Sequence, residues 1–143
     1  MTQASRSEPK ASEHHRDMRR TVVLLVDDEP RILSALQRAL RREGYELLSA
    51  ETPGEALRLA EQNAIDCVLS DHKMPGMTGL ELIERILRHR PHAARLLITG
   101  WNTEIDPSAL TRLGVSTVLP KPWDDGELKN ALRAALAGGD PAA

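Results

Sequence analysis

Several things are scarce in this sequence, and each scarcity excludes something. There is one cysteine, Cys67, so no internal disulfide can form, and its place in an apolar run reads as a small buried hydrophobe. There is no phenylalanine, one tyrosine and two tryptophans, so the core must be built from Leu, Val, Ile and Ala. No apolar run approaches the roughly 18 residues a membrane-spanning helix needs. The N-terminus is polar, without a signal-peptide apolar region, and the expectation is a cytoplasmic protein without membrane partners. The formal net charge is -2 and no strong basic patch stands out, which argues against direct nucleic-acid binding. Neither GxxxxGK[ST] nor GxGxxG occurs, which argues against a nucleotide cofactor.

At 143 residues the chain suits one domain with a real core. Residues 1–20 are charged and Ser-rich, and are expected to be a disordered arm. His14 and His15 lie there without a third metal ligand at useful spacing. Residues 138–143 read as a flexible tail. Between them the pattern alternates. Short, nearly continuous apolar runs at 22–26, 45–49, 65–70, 95–99 and 115–119 predict strands. Each is followed by a helical pattern with its own start signal. Pro30 opens the first; Thr52 with Glu55, and Thr78 with Glu81, are capping boxes; Asp106-Pro107 and Asp124 with Glu127 open the last two. Strands apolar on both faces, each followed by an amphipathic helix, predict a doubly wound α/β fold with a parallel five-stranded sheet.

In such a sheet all C-terminal strand ends share one edge, where ligands usually bind. The predicted strands end near Asp27 and Asp28, Asp71, Thr99 and Lys121. In the flavodoxin-like order 2-1-3-4-5, the three carboxylates would converge, with the hydroxyl and ammonium arriving from the other side. Clustered carboxylates raise one another's pKa unless compensated. Mg²⁺, held by carboxylate, carbonyl and water oxygens, would relieve that. An aspartate can take up a phosphoryl group as an acyl phosphate, and Lys and Thr can stabilise its oxygens. Taken singly, Asp28 could be a mere cap for the helix at Pro30, Asp71 a loop residue and Lys121 a solvated charge.

The stretches "LLVDDEP", "VLSDHKMPGMTGLEL", "LLITG" and "VLPKPW" resemble the receiver domain of two-component response regulators, over about residues 21–137. The separations of 44 residues from Asp27 to Asp71 and 22 from Thr99 to Lys121 also fit that family. The resemblance implies a CheY-like (βα)5 fold with Asp71 as phosphoacceptor, charged from a histidine kinase or phosphotransfer protein. It implies Mg²⁺ held by Asp28 directly, by Asp27 largely through water, by Asp71, and by the backbone carbonyl of Lys73. Thr99 becomes the switch hydroxyl and Lys121 the phosphate-contacting lysine, with a cis bond to Pro122. Pro75 and Gly76 shape the loop after Asp71, and Gly79 lies near the start of the next helix. Such a protein catalyses only its own phosphorylation and dephosphorylation. It acts on a downstream output protein through the face of the fourth helix, fifth strand and last helix, where homodimerisation rests on family analogy alone.

Two positions depart from the pattern or tune it. Val118 stands where the family often has an aromatic that moves with the switch hydroxyl. Trp101, two residues after Thr99, is expected to slow hydrolysis of the acyl phosphate. Trp123, after "KP", is expected to pack the start of the last helix. Two other readings stay open on sequence alone. One is a Mg²⁺-dependent aspartyl-phosphate phosphatase or phosphotransferase of the haloacid-dehalogenase-like kind, although that group wants DxD at the first strand and the acids here are adjacent. The other is a scaffold that keeps the fold without being phosphorylated.

Overall fold

The computed structural model describes residues 20–100 and 104–138. The elements run β1 Val22–Val26, α1 Pro30–Leu40, β2 Glu46–Ala50, α2 Pro53–Gln62, β3 Cys67–Asp71, α3 Gly79–His89, β4 Ala94–Gly100, α4 Pro107–Leu113, β5 Thr117–Lys121 and α5 Asp125–Gly138. All four strand pairs are parallel and the sheet order is β2-β1-β3-β4-β5. This is the doubly wound fold the alternating pattern predicts. The expectations for the 1–20 arm, the 138–143 tail and Trp101 fall almost wholly outside the described residues.

Alternation along the strands sorts the core into two layers. Val22, Leu24 and Val26 of β1 face α2, α3 and α4, meeting Ala56, Ala60, Leu82, Ile83 and Ile86. Val23 and Leu25 face α1 and α5, meeting Leu33, Leu36, Leu40, Leu128 and Leu132. Each fully buried Leu or Ile contributes about 1.5–3 kcal/mol of transfer free energy. Cys67 is buried in the second layer, and burial pushes its thiol pKa well above the usual range.

The helix starts hold, with one difference. At α3, Thr78 Oγ1 accepts the Glu81 N–H and Glu81 Oε1 accepts the Thr78 N–H, a complete capping box. At α2, Thr52 accepts the Glu55 N–H, but Glu55 reaches one residue further back, to the N–H of Glu51. Helix α1 has no side-chain cap at all; Glu29 is its N-cap residue, and Pro30 sits at the first position. Asp28 therefore does not serve as a cap.

Strand boundaries shift where neighbouring ladders decide them. The pattern predicts the fifth strand at 115–119, yet pairing begins at Thr117 opposite Leu96 and ends at Lys121 opposite Gly100. Val115 and Ser116 are spent on the approach, their N–H groups donating to Leu110 O and Arg95 O. Similarly β3 starts at Cys67 because Asp66 is turned to accept the Val22 N–H through Oδ2 at 2.8 Å. Both shifts carry Asp71 and Lys121 into the ladder as last strand residues.

Candidate functional site

The C-terminal ends of β1, β3, β4 and β5 meet at one edge. Asp27 follows the last residue of β1 and is completely buried, its N–H donating to Ala50 O. Its Oδ1 accepts the Glu29 N–H at 2.9 Å, which fixes the turn into α1. Its Oδ2 meets Lys121 Nζ at 2.7 Å. The same ammonium lies 3.3 Å from Asp71 Oδ1. Asp28, the next residue, is exposed. Carboxylate oxygens of Asp27, Asp28 and Asp71 lie within 4.8 Å of one another. The three acids expected to converge do so, and Lys121 joins them.

Asp71 is locked from behind. Ser70 Oγ donates to the Asp71 carbonyl at 2.8 Å, and the next N–H, of His72, bonds across to Ile98 O. The Gly79 N–H donates to His72 O at 2.8 Å, drawing the start of α3 against the strand end. A Cβ at Gly79 would lie 2.4 Å from the Asp71 carbonyl oxygen, 2.8 Å from Leu97 Cδ2 and 2.9 Å from His72 Cα. Only glycine allows that approach. Ser70 and the tight contact at Gly79 are missing from the sequence reading. A polar residue interrupting the apolar run just before Asp71 was the available signal for the first.

Burial, and then the Asp27 charge, push the Asp71 carboxyl above its ordinary range, against the lowering pull of Lys121 and the Lys73 N–H. Burial works to depress the Lys121 ammonium, but the hydrogen bond and charge of Asp27, followed by those of Asp71, hold it above its usual value. Three carboxylates thus face one ammonium, leaving two excess negative charges, which a divalent cation would neutralise. Three carboxylates grouped this way are the oxygen donor set that would suit a hard divalent cation such as Mg²⁺.

The remaining expected residues divide. Thr99 is 6% exposed, and its Oγ1 has no hydrogen-bond partner among the described residues. Lys73 is exposed, and its backbone N–H donates to the Asp71 carboxylate. The Lys121–Pro122 bond is cis. Gly76 has φ +85°, a left-handed turn residue in the loop after Asp71. Trp123 packs against the α1/α5 layer and donates Nε1–H to Asp125 Oδ1 at 3.0 Å, as expected for a residue seating the last helix. Val118 is 37% exposed and lines a cavity of ≈ 340 Å³ with Thr99, Ile105 and Leu110.

Comparison with known proteins gives a consistent answer. The model of the response regulator receiver domain matches residues 23–133. The transcriptional regulatory protein GlrR of Escherichia coli is 36% identical over 120 residues, covering 84% of this chain and 27% of that protein. Protein PilH of Pseudomonas aeruginosa is 32% identical over 118 residues, covering 81% of this chain and 98% of PilH. A crystal structure of the signal receiver domain of an HD domain-containing protein from Pseudomonas fluorescens superposes with a TM-score of 0.76 at 36% identity, covering 84% of this chain and 97% of that one. The chain spans about a quarter of the length of GlrR and of the hydrogenase regulator HoxA, half of the transcriptional regulatory protein PhoP of Bacillus subtilis, and nearly all of PilH.

Proposed function

This chain belongs to the receiver-domain family of two-component response regulators, and from that premise we propose that residues 21–137 are a phosphoacceptor switch charged at Asp71. The observation that carries the assignment is the division of labour among the carboxylates. Asp27 has no exposure and both of its oxygens are engaged. Asp28 is exposed and free to reach a cation. The Asp71 side chain keeps 7% exposure and is the acid that can meet a donor at the crevice.

Phosphoryl transfer then proceeds from a phosphohistidine on a histidine kinase or phosphotransfer protein. An Asp71 carboxylate oxygen attacks phosphorus. The P–N bond breaks, and the imidazole nitrogen leaves with the electron pair and takes up a proton. Asp27, Asp28, Asp71 and the Lys73 carbonyl would hold Mg²⁺, which when bound offsets negative charge on the transferring group. Lys121 Nζ, 3.3 Å from Asp71, is placed to donate to a phosphoryl oxygen. The Thr99 hydroxyl, buried with no partner among the described residues, gains an acceptor in that same group. Movement of Thr99 biases the α4–β5–α5 face, which binds a downstream output protein or a second copy. The chain's own chemistry is limited to gaining and losing this phosphoryl group in the cytoplasm.

The test is incubation with Mg²⁺ and acetyl phosphate, read by intact mass. Wild type is expected to gain one phosphoryl group and Asp71→Asn none. Modification that persists in Asp71→Asn, or a wild type that no phosphodonor modifies, would remove the assignment.

A further inference from the structure

Ser70 is the one hydroxyl-bearing residue of β3, and it is completely buried. A hydroxyl in that position is costly unless it is hydrogen-bonded. Its Oγ donates to the carbonyl of the next residue, Asp71, at 2.8 Å. The sheet explains why that carbonyl needs a donor. On the β4 side, Ile98 O takes the His72 N–H, so the backbone groups of Asp71 itself turn towards β1. There the ladder has ended. Its last pair is Val26 with Ser70, and the next N–H of that chain segment, Asp27, bonds to Ala50 O on the β2 side. The start of α3 closes over the oxygen without donating to it. The Gly79 N–H goes to His72 O, and Gly79 lies so close that a Cβ there would stand 2.4 Å from Asp71 O. The Ser70 hydroxyl supplies what the ladder does not.

The same short segment is held at its other end. The Lys73 N–H donates to the Asp71 carboxylate. One bond thus fixes the backbone leaving Asp71, and the other fixes its side chain against the amide two residues on. Freeing the carbonyl lets the Asp71–His72 peptide plane turn, and the Lys73 amide and the carboxylate it holds turn with it. Resting on the reading of Asp71 as the phosphoacceptor, we propose that Ser70 is a positioning residue for phosphoryl transfer: its hydroxyl fixes the turn from Asp71 to Lys73 and so aims the attacking carboxylate oxygen. Ser70 acts through the backbone, from the face of the sheet that Val68 shares with α2 and α3, and not on the transferring group. The aim matters because misplacing a reacting atom by about 1 Å can cost about a hundredfold in rate.

The experiment is phosphoryl uptake by the full chain at saturating Mg²⁺, read by intact mass over a range of acetyl phosphate concentrations. It compares wild type, Ser70→Ala, Ser70→Thr and Ile86→Val. Ser70→Ala is expected to lower the maximal rate about tenfold or more and to leave the half-saturating concentration within about twofold. Ser70→Thr keeps the hydroxyl and should recover the rate to within about threefold of wild type. Ile86→Val, a buried change further along α3 that costs stability without touching Asp71, should keep the wild-type rate. In nitrogen-15 NMR spectra the Lys73 amide should exchange with solvent faster in Ser70→Ala and at the wild-type rate in Ser70→Thr. Four results overturn the positioning role while Asp71 stays the phosphoacceptor: a wild-type rate in Ser70→Ala, a loss that Ser70→Thr does not restore, an equal loss in Ile86→Val, or an unchanged Lys73 amide in Ser70→Ala. If no phosphodonor modifies the wild type, both readings fall. Should Ser70→Ala fail to fold, Ser70→Cys, of similar size with a weak donor, is measured in its place against the same outcomes.

Discussion

Replacing Gly79 with alanine probes the framework behind Asp71. The new Cβ would stand 2.4 Å from the Asp71 carbonyl oxygen, where an ordinary C···O contact is about 3.3 Å. Roughly 1 Å of separation must be found, and two of the three obstructing atoms, Asp71 O and His72 Cα, are backbone. The third is Leu97 Cδ2, in a fully buried side chain of β4. Overpacking of this kind costs about 1–3 kcal/mol, and the backbone obstruction places it in the upper half. Alanine's helix preference returns at most about 1 kcal/mol, less at the first position of α3. A net loss of about 1–2 kcal/mol is expected. Urea unfolding should show a lower midpoint with an unchanged slope. The retreat of α3 also strains the Gly79 N–H to His72 O bond and shifts the backbone that carries Asp71, so the acetyl-phosphate reaction should slow together with the loss of stability. An unaltered midpoint and an unaltered rate in Gly79→Ala would refute the claim that this contact sets the position of Asp71.

The other predictions are simpler. Gly54→Ala, in α2 with nothing within 4 Å of the added carbon, should leave the thermal midpoint unchanged or raise stability by up to about 1 kcal/mol, and a clear drop would contradict it. Thr78→Ala removes the cap acceptor of α3 and should cost about 1 kcal/mol by urea unfolding. Lys121 has a folded pKa above its unfolded value, so its stabilisation is complete below about pH 10.4 and is lost as pH rises through the folded value. Tyr45 and Cys67 are raised too, so urea midpoints from about pH 8 to 11.5 belong in a Tyr45→Phe, Cys67→Ala background, and a flat profile there would contradict the Lys121 assignment. The Cys67 thiol, buried with its pKa raised, should resist thiol reagents in the native chain and react only on unfolding, at a rate that follows denaturant.

Much of the fold is legible because two periodicities alternate without ambiguity. The three central runs, β1, β3 and β4, lie buried on both sides, the edge strands β2 and β5 are only partly covered, and helix starts are marked by Pro30, Thr52, Thr78 and Asp106. What a linear pattern cannot carry is register. Val115 looks like a strand residue by composition, yet the ladder with β4 begins two residues later, because Ser116 is needed to reach Arg95 O first. The capping box at Thr52 has the right residues, but Glu55 bonds to Glu51, since a carboxylate at that position can reach either of two adjacent amides and only the turn geometry chooses. Asp28 fails as a cap for a related reason: the turn is fixed by Asp27 Oδ1 on the Glu29 N–H, which leaves the next side chain exposed beside the acidic cluster.

The convergence of Asp27, Asp28, Asp71 and Lys121 follows from sheet order, and so can be argued from sequence. Their individual states cannot. Two adjacent aspartates are chemically identical until the strand end buries one completely and exposes the other. That difference decides what each can do. A buried carboxylate with both oxygens engaged is a poor nucleophile and an expensive charge, tolerable only while a cation neutralises it. The exposed neighbour can bind and release an ion at little cost in desolvation. Asp71, partly shielded, with its pKa lifted by burial and by Asp27, lies between these extremes. A single lysine cannot satisfy three carboxylates at once. It settles on the acid with no access to water, which leaves Asp71 the weaker of the two ion pairs.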